Sequence, residues 1–117
     1  MLYQFLKSDG SMITSTAFRE SYLAGDPLAV ELIDDASYFL GLAVANYINI
    51  LHPDLFIFGG GIMEALHEVM LPRIKQIAQT NAMPALSHDI ELTMSQLGDN
   101  AGIVGSFHQI FEAVDHA

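Results

Sequence analysis

Apolar and polar positions along this chain change period at points marked by glycine and proline. The longest helical pattern starts at Asp26-Pro27, where Asp26 suits an N-cap and Pro27 the first helical turn. It runs to about Leu51, where His52-Pro53-Asp54 stops it. At the rise of an α-helix this segment is roughly 37 Å long. Glu31, Asp34, Asp35, Tyr38 and Gly41 recur at helical spacing and predict a polar stripe. Beyond Gly41 the pattern is apolar nearly all round, apart from Asn46 and Asn49, which predicts deep burial of the second half. Upstream, Thr14, Ser15 or Thr16 caps a short helix reaching about Ala24, and Gly25 ends it as a C′ glycine. Met1–Lys7 is a short apolar piece, and Ser8-Asp9-Gly10-Ser11 reads as a turn.

The pattern then shortens. Leu55-Phe56-Ile57-Phe58 is a run of bulky residues suited to a strand buried on both faces, as in a parallel sheet. Gly59-Gly60-Gly61 follows, and a helix is expected from about Glu64 to Ala82 or Met83, with a kink or fresh start near Leu71 imposed by Pro72. Pro84–His88 is a loop. Ile90–Ser95 alternates, with Ile90, Leu92 and Met94 against Glu91, Thr93 and Ser95, and predicts a second strand with one wetter face. Leu97-Gly98-Asp99-Asn100 is a turn, and a last helix runs from about Ala101 to Val114. Ala101, Gly102, Gly105 and Ser106 give that helix a small-residue face suited to close packing. The order β-α-β-α predicts a parallel pair with a right-handed crossover. Two strands do not bury helices on both faces, so the pattern describes an incomplete α/β domain whose sheet needs further cover.

Three glycines between a strand and a helix remove Cβ atoms where backbone N–H groups approach a ligand, beside the positive end of the helix dipole. A tight turn needing small residues makes the same pattern, so the run alone does not decide between the two.

Charge narrows the partners. Four Lys and Arg stand against fourteen Asp and Glu, a net charge of −10, which leaves little to neutralise nucleic-acid phosphates or an anionic membrane. No cysteine is present, which excludes disulfides and thiolate metal sites and fits a reducing, cytoplasmic setting. No apolar run has the roughly 18–20 residues that span a bilayer, and no basic start followed by an apolar stretch marks a secretory signal. Mean hydropathy is nonetheless +0.35. Such a chain has either a very full core or apolar surface that a partner covers.

Other chemistry-bearing residues read more plainly. His52, His67, His88, His108 and His116 include no i, i+4 pair, so no metal site is expected. His52 suits a helix C-terminus. Asp34 and Asp35 are adjacent on a helix, do not face each other, and belong to a solvated face. Asp99 or Asn100 suits the cap of the last helix, with an indirect role at the glycine turn as the alternative for Asp99. Asn46 and Asn49 suit helix-to-loop cross-links. Met63, Met70 and Met83 suit packing.

Four blocks carry a family resemblance. They are Ala24-Gly25-Asp26-Pro27-Leu28-Ala29, Leu40 through Asp54, Ile57-Phe58-Gly59-Gly60-Gly61-Ile62, and Leu97 through Ser106. In order and spacing they resemble the C-terminal half of the ROK family (repressors, open reading frames and sugar kinases). The resemblance implies a partial C-terminal lobe of an actin-like, ribonuclease H-like ATPase fold, with two parallel strands and flanking helices. It divides the chain into a segment 1–23 with a short helix and a lobe over 24–117. It implies ATP with Mg²⁺ as cofactor, with Gly59, Gly60 and Gly61 near the adenosine part, and phosphoryl transfer to a sugar hydroxyl. The family's phosphate loop, its catalytic Asp and its cysteine-rich zinc motif have no counterpart here, so no catalytic or metal residue is assigned, and the isolated chain is expected to be inactive. The alternatives are the sugar-sensing body of a ROK-type regulator and a non-catalytic oligomerising fragment. Expected partners are a second copy, as in a homodimer, or the missing N-terminal lobe. The sugar is expected as a partner of the full-length family, and no nucleic acid or membrane through this segment.

Overall fold

The computed structural model describes residues 14–97 and 101–115, which form four helices and two strands. Helix α1 (Ser15–Leu23) is capped by Thr14, whose Oγ1 accepts from the Ala17 N–H at 3.2 Å. Gly25 (φ +78°) turns the chain in the left-handed region, and Asp26 caps α2 (Pro27–Leu51) by accepting from the Leu28 N–H at 3.0 Å. His52, itself left-handed at φ 48°, closes α2 with its N–H on the Ile48 carbonyl. Strand β1 (Leu55–Phe58), helix α3 (Gly61–Asn81), strand β2 (Glu91–Met94) and helix α4 (Ala101–Asp115) follow. The strands are parallel, with Leu55 opposite Glu91 and Phe58 opposite Met94. The ladder continues past β2, where the Ser95 N–H donates to the Phe58 carbonyl at 2.7 Å.

The core lies between α2 and α3 and extends under the inner face of the strands. Ile33, Val44, Ala45 and Ile48 of α2 meet Met63, Leu66, Met70, Ile74 and Ala78 of α3, with Ile90 beside them. Phe18 and Tyr22 of α1 close one side, and Phe56, Phe58, Leu92 and Met94 face inward from the strands. Leu92 and Met94 thus take the core side as expected for β2, but Thr93 and Ser95 are half-buried too, so the wetter face is marked only at Glu91. Gly41 is not part of a polar stripe: it is buried in the α2–α3 contact, where a Cβ would fall 2.6 Å from Ile77 Cβ and Cγ2. Its missing side chain is what lets the two helices touch. The stripe proper holds Asp34, paired with Arg73 of α3, and an exposed Asp35. Asn49 makes the expected cross-link, its Oδ1 accepting from the Met83 N–H at 2.9 Å.

Several expectations give way to tertiary context. β1 is buried on one face only: Leu55 and Ile57 are 44% and 65% exposed because no described element lies over them. The second half of α2 is likewise one-sided. Val44, Ala45 and Ile48 are buried, while Tyr47, Ile50 and Leu51 remain exposed on the side away from α3. Met83 is exposed rather than packed. Helix α3 begins at Gly61, not Glu64, because Gly60 acts as N-cap and its carbonyl accepts from the Glu64 N–H at 2.9 Å. Its irregular residue is Leu66 (φ −128°, ψ 16°), not Leu71. Pro72 lies on the exposed side of α3, as does Glu68, so water can satisfy the carbonyl that proline leaves without a donor. The small face of α4 packs on nothing at Gly105, where a Cβ would meet no atom within 4 Å. The turn at Ser8–Ser11, the apolar piece Met1–Lys7, the caps Asp99 and Asn100, and His116 lie outside the described residues.

Candidate functional site at the glycine turn

Strand β1 delivers the chain to Gly59-Gly60-Gly61 at the carboxyl end of the parallel pair, the end where open α/β sheets bind ligands. The three glycines are not equivalent. Gly60 has φ +104° and ψ 157°, a conformation essentially restricted to glycine. A Cβ on Gly59 would sit 4.0 Å from Ser95 Cβ, and one on Gly61 would sit 3.5 Å from Ser15 Cβ and Oγ, both ordinary contacts. The turn thus requires glycine at one position and tolerates it at two.

No side chain caps α3 at Gly60, so the opening N–H groups of this helix face the turn without a local acceptor from a capping residue. Beside them is a cavity of about 400 Å³ lined by Ser15, Thr16, Arg19, Gly61, Glu64 and Ala65. Its size lies in the range of small-ligand pockets, roughly 300–1,000 Å³. The lining is polar, with two hydroxyls, a carboxylate and a guanidinium. Arg19 donates to the Ala65 carbonyl across the α1–α3 contact. Sequence reasoning found the turn through its glycines and missed α1 as a wall of the site. The available signal was Arg19, one of only four Lys and Arg residues in the chain.

The other marked residues do not join this site. His52, Asp54, His88 and Asp89 surround a separate cavity of about 150 Å³ at the opposite end of the strands. Among the described residues, no group of three His, Cys, Asp or Glu could hold a metal ion. No described helix is long and apolar enough to cross a membrane.

This architecture is one piece of the actin-like fold of sugar kinases. The solved structure of a chain from Cytophaga hutchinsonii assigned as a sugar kinase superposes with a TM-score of 0.73 at 20% identity, covering 91% of this chain and 35% of that one. The ROK family model matches residues 2–112, and the chain belongs to the ROK family. It is similar to a glucokinase of Halalkalibacterium halodurans, 35% identical over 82 residues that make up 70% of this chain and 24% of the relative. It is also similar to the DNA-binding transcriptional dual regulator NagC of Escherichia coli, 32% identical over 90 residues, 77% of this chain and 22% of the relative. The chain therefore spans about a quarter of the length of these curated relatives.

Proposed function

We propose that this chain is the C-terminal part of a ROK-family sugar kinase, in which ATP with Mg²⁺ donates its γ-phosphoryl to a sugar hydroxyl. The observation that carries the reading is the turn at Gly60, whose conformation leaves the start of α3 uncapped beside a polar cavity. In this reading Gly59–Gly61 hold the nucleoside end of ATP by backbone contact, and Ser15, Thr16 and Glu64 offer hydrogen-bonding partners to its ribose hydroxyls. The lining sets one carboxylate against one guanidinium, a balanced polar surface that suits the neutral nucleoside. ATP and its metal supply the transferable phosphoryl group when bound. Positioning the phosphates and activating the sugar hydroxyl need groups this chain does not hold, so by itself it turns nothing over. The remainder of the lobe, or a second copy, covers the open sheet face.

A second reading, the sugar-sensing body of a transcriptional regulator, is favoured by the similarity to NagC over a comparable span. The encoded sequence upstream of Met1 separates the two: a phosphate loop marks the kinase and a helix-turn-helix the regulator.

Thermal unfolding with Mg-ATP tests the nucleotide site. A ligand at ten times its Kd stabilises the folded state by about 1.4 kcal/mol. Gly60→Val, which forces a β-branched residue to positive φ, removes that shift while far-UV circular dichroism keeps its helical signal. An unchanged midpoint at millimolar Mg-ATP would count against the site.

A further inference from the structure

Helix α3 is interrupted one turn after it begins. Leu66 leaves helical geometry (φ −128°, ψ 16°) while remaining in the core at 1% exposure, so the break adjoins the packed interior. The residue before the break, Ala65, has its carbonyl taken by the Arg19 guanidinium of α1. Four residues back along each helix, Ser15 faces Gly61 across the cavity, near enough that a Cβ on the glycine would be in ordinary contact with it. Ser15 and Arg19 share one face of α1, and Gly61 and Ala65 share one face of α3, each pair at i, i+4 spacing. Helix α1 therefore holds the first turn of α3 by a hydrogen bond at the break and faces it with Ser15 at the glycine turn. The distal part of α3 has a different cationic tether, Arg73 on Asp34 of α2.

We infer that Arg19 is a positioning residue for the glycine turn: by holding the Ala65 carbonyl it fixes segment 61–66 as a unit and so sets the affinity of the turn for a nucleotide. This rests on the nucleotide reading of the turn. Arg19 acts through Ala65, and a part-buried, charge-assisted hydrogen bond beside the break is the kind of contact whose loss frees the segment it holds.

The experiment compares wild type, Arg19→Met and Arg73→Met in two measurements on the full chain. One is Mg-ATP titration followed by calorimetry. Arg19→Met weakens binding about tenfold, the loss expected for one hydrogen bond to a charged group, while Arg73→Met, which loosens α3 elsewhere, leaves the Kd at the wild-type value. The other is amide hydrogen exchange without nucleotide. Arg19→Met speeds exchange about tenfold at residues 61–66 and leaves 73–81 unchanged, by local opening of one segment. Wild-type exchange at 61–66 in Arg19→Met overturns the inference. So does an equal loss of affinity in the two variants, which would make Arg19 only a stabiliser of α3. Failure of wild type to bind Mg-ATP sinks the nucleotide reading instead, and the exchange result then decides the role of Arg19. Should Arg19→Met not fold, Arg19→Lys carries the same readouts with losses of about threefold, because an ammonium lacks the planar fork, and wild-type values there overturn the inference.

Discussion

The α2–α3 interface and the outer face of β1 are made of the same residue types and meet opposite fates. Ile48 and Ile74 are fully buried between the helices, while Ile57, one residue from inward-facing Phe56 and Phe58, is 65% exposed. Helix α4 repeats the contrast. Ile103, Phe107, Ile110, Phe111 and Val114 follow a helical stripe, and all are exposed. An apolar side chain is buried only when a second layer comes to lie on it, and among the described residues the α2–α3 interface and the inner face of the strands have one while the outer face of β1 does not. Among the described residues, much of the apolar content behind the high mean hydropathy lies on exposed faces.

The comparison breaks most sharply at paired isoleucines. Ile74→Ala leaves a cavity in the core and costs about 4 kcal/mol in urea denaturation, whereas Ile57→Ala on the open face costs under about 0.5 kcal/mol. Comparable losses at the two positions would mean that the outer face is covered in solution. Glycines sharpen the same contrast with opposite signs. Gly41→Ala drives a methyl into Ile77 and destabilises by about 2 kcal/mol. Gly105→Ala, with open space around it, stabilises α4 by about 0.5–1 kcal/mol through lower chain entropy and better helix propensity. A destabilising Gly105→Ala would show that α4 packs closely on something at this point. The smallest effect concerns Ser37, whose buried Oγ has no hydrogen-bond partner. Ser37→Ala removes an unsatisfied hydroxyl from the interior, and the unfolding midpoint rises by an amount worth about 0.5 kcal/mol. A fall in the midpoint would reveal a partner for this hydroxyl.

How far the sequence could be read depends on the range of the forces involved. Asp26-Pro27 and His52-Pro53 marked both ends of α2, and Leu55–Phe58 was bounded by Asp54 and Gly59. Such signals act within a few residues, through φ restriction and capping bonds. The ends of α3 were less legible, since glycine is a poor helix former in the interior but serves at an N-cap, and only the Glu64-to-Gly60 bond shows which role applies. At the site, the glycines were visible as a triplet, yet the sequence had no means of saying that Gly60 alone has a conformation requiring one. The contribution of α1 was hidden for a different reason. Arg19 reaches Ala65 across 46 positions of chain, and no periodicity encodes that contact.

The order of elements, the parallel pairing implied by a strand–helix–strand run, and the location of the turn were determined by the sequence alone. Caps, breakers and apolar period act locally and survive any arrangement of the rest. Only the tertiary structure decided which face of β1 and α2 is buried, why Gly41 must be small, where α3 breaks, and that α1 walls the glycine turn. Each of these depends on atoms from distant parts of the chain coming within a few ångströms of one another, and that proximity is a property of packing rather than of any segment by itself.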